Sequence, residues 1–241
     1  MNYQKDAAAI YDDLHIAGQD KDYAAETREV VEDLHRRNPA ATSVLDVGCG
    51  TGEHLRHLRD SFGDVEGAEL SPAMRDVAQG KLPDVTIHAA DMRTLGLGRT
   101  FDAVVCLFSV IGYVCSVDEL ERSVAAMAGH LNPGGVLLIE PWLTPEQWTV
   151  DRLRPTVVES PGRTVVRLTH SAAHDGFSHM TMHYLVGDVG AGVRHFSDEH
   201  VLKLFTPQEY VAALGRAGLV DVVFRPRTYD APGRLLGTAP K

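Results

Sequence analysis

The sequence predicts an α/β protein: a doubly wound, seven-stranded, mostly parallel sheet that carries an antiparallel β insertion. Three observations predict it. Between residues 43 and 141, short β-leaning runs alternate with helix-compatible stretches and short loops, the rhythm of parallel strands joined by crossover helices. One junction, Val44-Leu45-Asp46-Val47-Gly48-Cys49-Gly50-Thr51-Gly52, is a strand running into a turn with glycine at alternate positions. Beyond Pro141 the rhythm gives way to successive β-leaning runs separated by Pro-Gly, Asp-Gly and Gly-Ala-Gly turns, as in an antiparallel meander.

In chain order, residues 4–14 read as a short helix and residues 22–37 as a longer one, with Tyr23, Val30, Val31 and Leu34 at helical spacing. Val44–Val47 is the first strand and 53–61 its helix. Val65–Glu69 is the second strand. Ser71-Pro72 then reads as an N-cap with proline at the first helical position, opening a helix to about Gly80. Val85–Ala89 is the third strand. Phe101–Phe108, almost wholly apolar, is the fourth and is buried on both faces. Val117–Leu131 is a helix stopped by Asn132-Pro133-Gly134-Gly135, and Val136–Glu140 is the fifth strand. Four β runs follow, at Thr156–Glu159, Thr164–Ser171, Met180–Val186 and Arg194–Phe205. Thr206-Pro207-Gln208-Glu209 restarts a helix with a capping box. Leu219–Phe224 and Arg234–Thr238 complete the sheet. The expected organisation is an α/β domain from residues 1–142 and 206–241. Residues 143–205 form an insertion that covers the carboxyl ends of the parallel strands and offers edges for a second copy.

Composition narrows the function. A formal net charge of −10 over 241 residues argues against a nucleic-acid surface and against docking on an anionic membrane. No apolar run reaches the length of a membrane span, and the first residues carry no apolar signal-peptide core. Cys49, Cys106 and Cys115 form no CxxC pair, which points to reduced thiols and a cytoplasmic protein.

Acidic residues then identify the cofactor. The glycine turn departs from a dinucleotide fingerprint because position 53 is Glu. Asp46, Glu69 and Asp91 end or follow three successive strands, at the edge where open α/β sheets bind ligands. Glu69 is placed for both ribose hydroxyls. Asp91 is placed for an adenine amino group, with Met92 packing on the ring. So many carboxylates suit a ligand with a sulfonium, an ammonium and no phosphate, which is S-adenosylmethionine. The six histidines His170, His174, His179, His183, His195 and His200 lie in strand and turn context without a matching acid or cysteine, so no metal site is expected.

The stretch 43–141 resembles the class I S-adenosylmethionine-dependent methyltransferases in motif and spacing. Several segments together resemble one subfamily: Lys21-Asp22-Tyr23, Glu66-Gly67-Ala68-Glu69-Leu70-Ser71, Asp91-Met92-Arg93, Phe108-Ser109-Val110-Ile111-Gly112-Tyr113, Glu140-Pro141-Trp142, Thr169-His170-Ser171 and Gly233-Arg234. That subfamily is the N-methyltransferases acting on TDP-linked amino deoxysugars, such as those that dimethylate desosamine or mycaminose precursors. The resemblance implies a cofactor site of Tyr11, Tyr23, Asp46, Gly48, Gly50, Gly52, Glu69, Leu70, Asp91, Met92 and Leu107. It implies a nucleotide-sugar site of Tyr3, Trp142, Arg167, Thr169 and Arg234. Arg167 and Arg234 would supply the cations that a diphosphate needs in an acidic protein. Where the subfamily has two tryptophans after Glu-Pro, this chain has Trp142-Leu143. Where the subfamily ends Gly-Arg-Gly-Leu, this chain has Gly233-Arg234-Leu235-Leu236.

Tyr113, just past strand four, is the candidate catalytic residue. A tyrosine of ordinary pKa, about 10, is a weak base at neutral pH, so orientation of the amine comes first and proton removal second. Two alternatives stand beside this reading. One is transfer to another small molecule; the other is a protein that binds S-adenosylmethionine without transferring the methyl group.

Overall fold

A computed structural model describes residues 5–17, 21–225 and 233–241. In chain order it runs α1 (Lys5–Asp12), a π-helical turn (Asp13–Ala17), α2 (Tyr23–Arg37), β1 (Ser43–Val47), α3 (Glu53–Leu58), β2 (Asp64–Glu69), α4 (Pro72–Lys81) and β3 (Thr86–Ala89). There follow β4 (Phe101–Cys106), α5 (Val117–Ala128), β5 (Leu131–Ile139), then β6 (Arg152–Ser160), β7 (Arg163–His174), β8 (Phe177–Asp188) and β9 (Gly192–Lys203). Last come α6 (Pro207–Arg216), β10 (Val220–Arg225) and β11 (Arg234–Thr238).

Seven strands form one sheet in the order β10-β11-β5-β4-β1-β2-β3, and β6-β7-β8-β9 form a second. β1 to β5 are parallel to one another, and β11 runs antiparallel to both β5 and β10. The expected α/β architecture of a class I methyltransferase fold is therefore present. The strand order reverses at β1, which has β2 on one side and β4 on the other. Such a switch point opens a crevice at the carboxyl edge.

The central strands are buried on both faces because helices cover both. Val104, Leu137 and Ile139 pack with Leu120, Val124, Met127, Tyr210 and Leu214 on one face. Val44, Ala103, Val105, Val136 and Leu138 pack with Val30, Leu34, Leu58 and Phe62 on the other. Local chemistry sets the helix starts. Ser71 Oγ accepts from Met74 N with Pro72 at the first turn, and Thr206 and Glu209 form the expected capping box.

The second sheet is a continuous antiparallel meander. Its inner face sets Val158, Val165, Tyr184 and Val186 against Ile10 and Leu14 of the N-terminal segment. Its outer face leaves Leu153, Val157, Leu168, Leu185 and Val193 exposed.

Several boundaries differ from expectation, among them the following. β4 stops at Cys106 because Phe108 and Ser109 take left-handed φ angles of 51° and 61°. Helix α3 stops at Leu58. The Asn132-Pro133-Gly134-Gly135 segment does not merely end a helix: it is the irregular start of β5, with a register shift opposite Phe101 and Ala103. Asn132 Nδ2 donates to Asp102 Oδ1 at 2.8 Å, which holds a proline-bearing strand start where a regular ladder would fail.

Candidate active site

A cavity of about 540 Å³ lies between the carboxyl ends of the parallel strands and the inner face of the meander, within the usual size of a small-molecule site. The turn after β1 supplies Gly48, Gly50 and Thr51; the end of β2 supplies Glu69 and Leu70; Asp91 and Met92 follow β3; Leu107 and Phe108 follow β4. Helix α1 contributes Tyr11, and the meander closes the far side with Arg167, Thr169 and Tyr184.

The glycine turn is held by its own backbone and by Glu69. Gly48 and Cys49 both donate to Ala68 O, at 2.7 and 3.2 Å. Gly48 has φ +78°, and a Cβ there would stand 2.7 Å from a Val110 methyl, so this position requires glycine twice over. Gly50, at φ +57°, faces open space where a ligand can approach the backbone. Its N–H donates to Glu69 Oε2 at 2.9 Å, while Ser71 N–H donates to Glu69 Oε1 at 2.7 Å. Burial raises the Glu69 carboxyl above its ordinary range, and these backbone donors oppose the shift.

Two expected cofactor residues lie behind the wall. Asp46 does not line the cavity: it is buried on β1, and neither carboxylate oxygen has a hydrogen-bond partner among the described residues. Burial, reinforced by Glu69 and Glu140, pushes its carboxyl up to about 8. Gly52 likewise stands off the wall. It starts α3 in the left-handed conformation and packs on Ala78 and Leu82.

Asp91 lines the cavity but is pinned first by Arg93, which donates from Nε at 3.0 and 3.1 Å and from Nη2 at 2.6 Å. That contact holds the Asp91 carboxyl below its ordinary range. Tyr11 and Tyr23 both line the cavity and are hydrogen-bonded to each other. Tyr23 also packs edge-on against His54, with ring centroids 4.8 Å apart. Asp12 ties α1 to the glycine turn by accepting from Thr51 Oγ1 at 2.6 Å, while its other oxygen accepts from Lys81 at 2.7 Å.

The opposite end of the cavity is cationic. Arg152, Arg154 and Arg167 line it, and the β6–β7 register sets Arg152 opposite Ser171, Arg154 opposite Thr169 and Thr156 opposite Arg167. Alternation along β6 and β7 puts these side chains on one face. His15 registers their field: burial pushes its imidazole down to about 3, with Arg167, Lys21 and Arg154 adding to the shift. Trp142 lies beside Trp148 with ring centroids 5.8 Å apart, and both line the cavity. Trp142 thus has a second indole beside it, from six residues further along the chain.

Arg234, expected on the sugar side, has a partner away from the cavity wall. It is 4% exposed and does not line the cavity. Its guanidinium forms an ion pair with Glu140, whose other oxygen accepts the Phe108 N–H at 2.6 Å. Arg234 therefore props the strained turn after β4. Tyr3, expected on the sugar side, lies outside the described residues.

Tyr113 lines the cavity, and its hydroxyl is 2.6 Å from His200 Nδ1. Sequence reasoning assigned no role to His15, Arg152, Arg154, Trp148 or His200. A signal existed for the arginines, since Arg152-Leu153-Arg154 alternates, but Pro155 hid the strand. His200 and Asp198 also alternate, though nothing in the sequence brings them to Tyr113.

Comparison with known proteins decides the family. A methyltransferase-domain model matches residues 44–135. The chain is 47% identical over 217 residues to the dTDP-3-amino-3,4,6-trideoxy-alpha-D-glucopyranose N,N-dimethyltransferase of Streptomyces venezuelae, covering 90% of this chain and 91% of that one. The chain belongs to the TDP-amino-deoxysugar N,N-dimethyltransferase family. The crystal structure of DesVI from Streptomyces venezuelae superposes with a TM-score of 0.92 at 44% identity, covering 99% of this chain and 100% of DesVI. CalS10 from Micromonospora echinaspora, an amino pentose methyltransferase solved with S-adenosylmethionine bound, superposes with a TM-score of 0.84 at 39% identity, covering 99% and 98%.

As a member of this family the protein is an S-adenosylmethionine-dependent methyltransferase. The glycine-turn end fits that cofactor: Gly50 leaves open space at the backbone, Glu69 presents a carboxylate, and Asp46 lies behind with unpartnered oxygens. Among the described residues no helix is long and apolar enough to cross a membrane.

Proposed function

We propose that the protein transfers methyl groups, two in succession, from S-adenosylmethionine to the amine of a TDP-linked amino deoxysugar. One observation carries the reading: a single cavity is acidic at the glycine turn, with Glu69 and Asp91, and cationic at the meander, with Arg152, Arg154 and Arg167. A cationic cofactor and an anionic diphosphate fit its opposite ends, which brings the reacting groups together between them. The relative from Streptomyces venezuelae is named for that class of substrate.

Bound S-adenosylmethionine supplies an electrophilic methyl group. The protein's work is positioning. Glu69 and Asp91 accept from ribose and adenine. Tyr11 and Tyr23 close over the cofactor from the N-terminal helices. Arg154 and Arg167 hold the diphosphate with forked donors, Thr169 pairs with Arg154 across the strands, and Trp142 with Trp148 offers the thymine a stacking face. Tyr113 stands where the amine meets the methyl group. Holding two reactants in line supplies roughly several kcal/mol of the rate.

The finer features of the reading are a cytoplasmic protein that binds no nucleic acid and pairs with a second copy of itself. The exposed apolar face formed by Leu153, Val157, Leu168, Leu185 and Val193 supports the pairing, because monomers seldom expose a contiguous apolar patch of this kind. Sedimentation velocity is expected to show a dimer, and Leu168→Glu with Leu185→Glu to give a monomer.

The substrate test is incubation with S-adenosylmethionine and a panel of TDP-3-amino and TDP-4-amino sugars, followed by mass spectrometry. Gains of one and then two methyl groups are expected on a nucleotide sugar. Gain only on a free aglycone or a simple amine overturns the reading.

A further inference from the structure

The geometry points to His200, backed by Asp198, as the proton sink behind Tyr113, so that the three side chains form a relay from the acceptor amine into the meander; this rests on the amine-methylation reading above. Tyr113 comes from the helical turn Val110–Tyr113, which packs on β9. Its hydroxyl is 2.6 Å from His200 Nδ1, and His200 Nε2 is 3.5 Å from Asp198 Oδ2. His200 is 2% exposed and Asp198 9% exposed, yet Tyr113 and His200 both line the cavity. The histidine is thus removed from bulk water but in line with the substrate space.

Two features of the fold make the arrangement specific. Asp198 and His200 are two apart on β9 and share the inner face of the sheet, opposite Met182 and Met180 of β8. Gly112 allows the helical turn to pack closely on Leu202 of β9, two residues beyond His200: a Cβ there would stand 2.9 Å from Leu202 and 3.0 Å from Trp142. Asp198 Oδ1 accepts from Glu199 N at 3.0 Å, which fixes the carboxylate. The other charged or titratable groups on the face of the sheet that carries His200 are Tyr184 and Asp188 on β8, Arg163 and Arg167 on β7, Arg152 and Arg154 on β6 and Arg194 on β9, and His15 lines the same cavity from the N-terminal segment.

The relay answers a chemical need. An amine entering as an ammonium has no lone pair, and a tyrosine hydroxyl alone is a weak base at neutral pH. In the step inferred here, one N–H proton of the ammonium passes to the Tyr113 oxygen as the Tyr113 O–H proton passes to His200 Nδ1. The N–H bond breaks and its electron pair stays on nitrogen as the nucleophilic lone pair. Tyr113 ends as it began, and the imidazole becomes an imidazolium whose Nε2–H faces the Asp198 carboxylate. The positive charge has moved from the amine to His200. Loss of the imidazolium proton to water in the cavity returns His200 to its neutral form, and the same transfer can then deprotonate the singly methylated ammonium for a second methylation. His200 acts through Tyr113 and is a positioning residue; Tyr113 is the residue that meets the amine.

The test compares the wild-type enzyme with His200→Gln and Tyr113→Phe across pH. His200→Gln is expected to lower kcat about 100-fold at pH 7 and to recover to within about threefold of wild type near pH 9.5, where the amine deprotonates without help. Cofactor affinity is expected to stay unchanged. An equal loss at both pH values, or no loss, overturns the relay. A second measurement needs no turnover: the imidazole NMR titration of the free protein. Tyr113→Phe is expected to move the His200 titration by about half a pH unit or more, and an unmoved titration overturns the relay. A wild-type enzyme that methylates no TDP-amino sugar overturns the substrate reading instead, and an unmoved imidazole titration still overturns the coupling of Tyr113 to His200 independently of it.

Discussion

Arg234 on β11 and Glu140 at the end of β5 form a buried ion pair, and the second oxygen of Glu140 accepts the backbone N–H of Phe108 at 2.6 Å. This one contact joins the last strand to the left-handed turn, Phe108 and Ser109, at the cavity wall. Two consecutive non-glycine residues with positive φ are costly, and the surrounding bonds must hold them there. Ser109 Oγ adds a bond to Pro141 O at 3.1 Å.

Removing Arg234 should therefore act first on stability. Arg234→Ala leaves Glu140 buried without its cation, at a cost of about 3–5 kcal/mol. Urea unfolding with intrinsic tryptophan fluorescence checks this. A variant of unchanged stability with a selective loss of nucleotide-sugar affinity would return Arg234 to the diphosphate.

The diphosphate is expected to rest on Arg154 and Arg167. Replacing either with alanine should raise KM for the nucleotide sugar about 10- to 100-fold, since a charge-assisted hydrogen bond is worth about 1.5–3 kcal/mol. S-adenosylmethionine affinity, read by calorimetry, should change little. Equal weakening of both ligands would place these arginines in the scaffold.

Glu69 has two duties, one to the turn and one to the ligand. Both of its oxygens accept backbone N–H groups, from Gly50 and Ser71, and it lines the cavity. Glu69→Ala should weaken S-adenosylmethionine binding at least about tenfold, through lost ribose contacts and through release of the glycine turn. Glu69→Gln, which keeps an acceptor for one amide, should lose less. Calorimetric titration of the two variants gives the order.

Asp46 makes stability depend on pH. Its folded carboxyl is pushed up to about 8 by burial, then by Glu69 and Glu140, from an ordinary value of 3.8. The folded state therefore holds a proton that the unfolded chain releases. The stability contributed by that proton is complete below about pH 4 and is lost as pH rises through about 8. Asp46→Asn removes the dependence. The thermal midpoint of the variant relative to wild type should climb between pH 5 and 8 and level off above about pH 9. Parallel curves would show that Asp46 does not titrate in this window.

Much of the cofactor half was legible because it is local. The glycine turn, the Ser71 and Thr206 caps and the acids after successive strands depend on neighbours within a few residues, where spacing and propensity speak directly. The meander was legible too, from turn residues and alternation, although its strands run longer than the β-leaning runs: Pro155 concealed the start of β6, and with it Arg152 and Arg154. The two left-handed residues after β4 had no signal, because their conformation is held by Glu140 from another strand.

By itself the sequence determined the α/β fold, the strand-by-strand placement of Gly50, Glu69 and Asp91, and the family resemblance. The first two follow from patterns a short window contains, and the resemblance from short segments spread along the chain. Only the tertiary structure decided that Asp46 and Gly52 stand behind the wall, that Arg234 pairs with Glu140, that Trp148 comes to Trp142, and that His200 comes to Tyr113. The physical reason is separation along the chain: Tyr113 and His200 are 87 residues apart. They meet because the meander folds back over the carboxyl edge of the sheet, a long-range contact that no local pattern encodes.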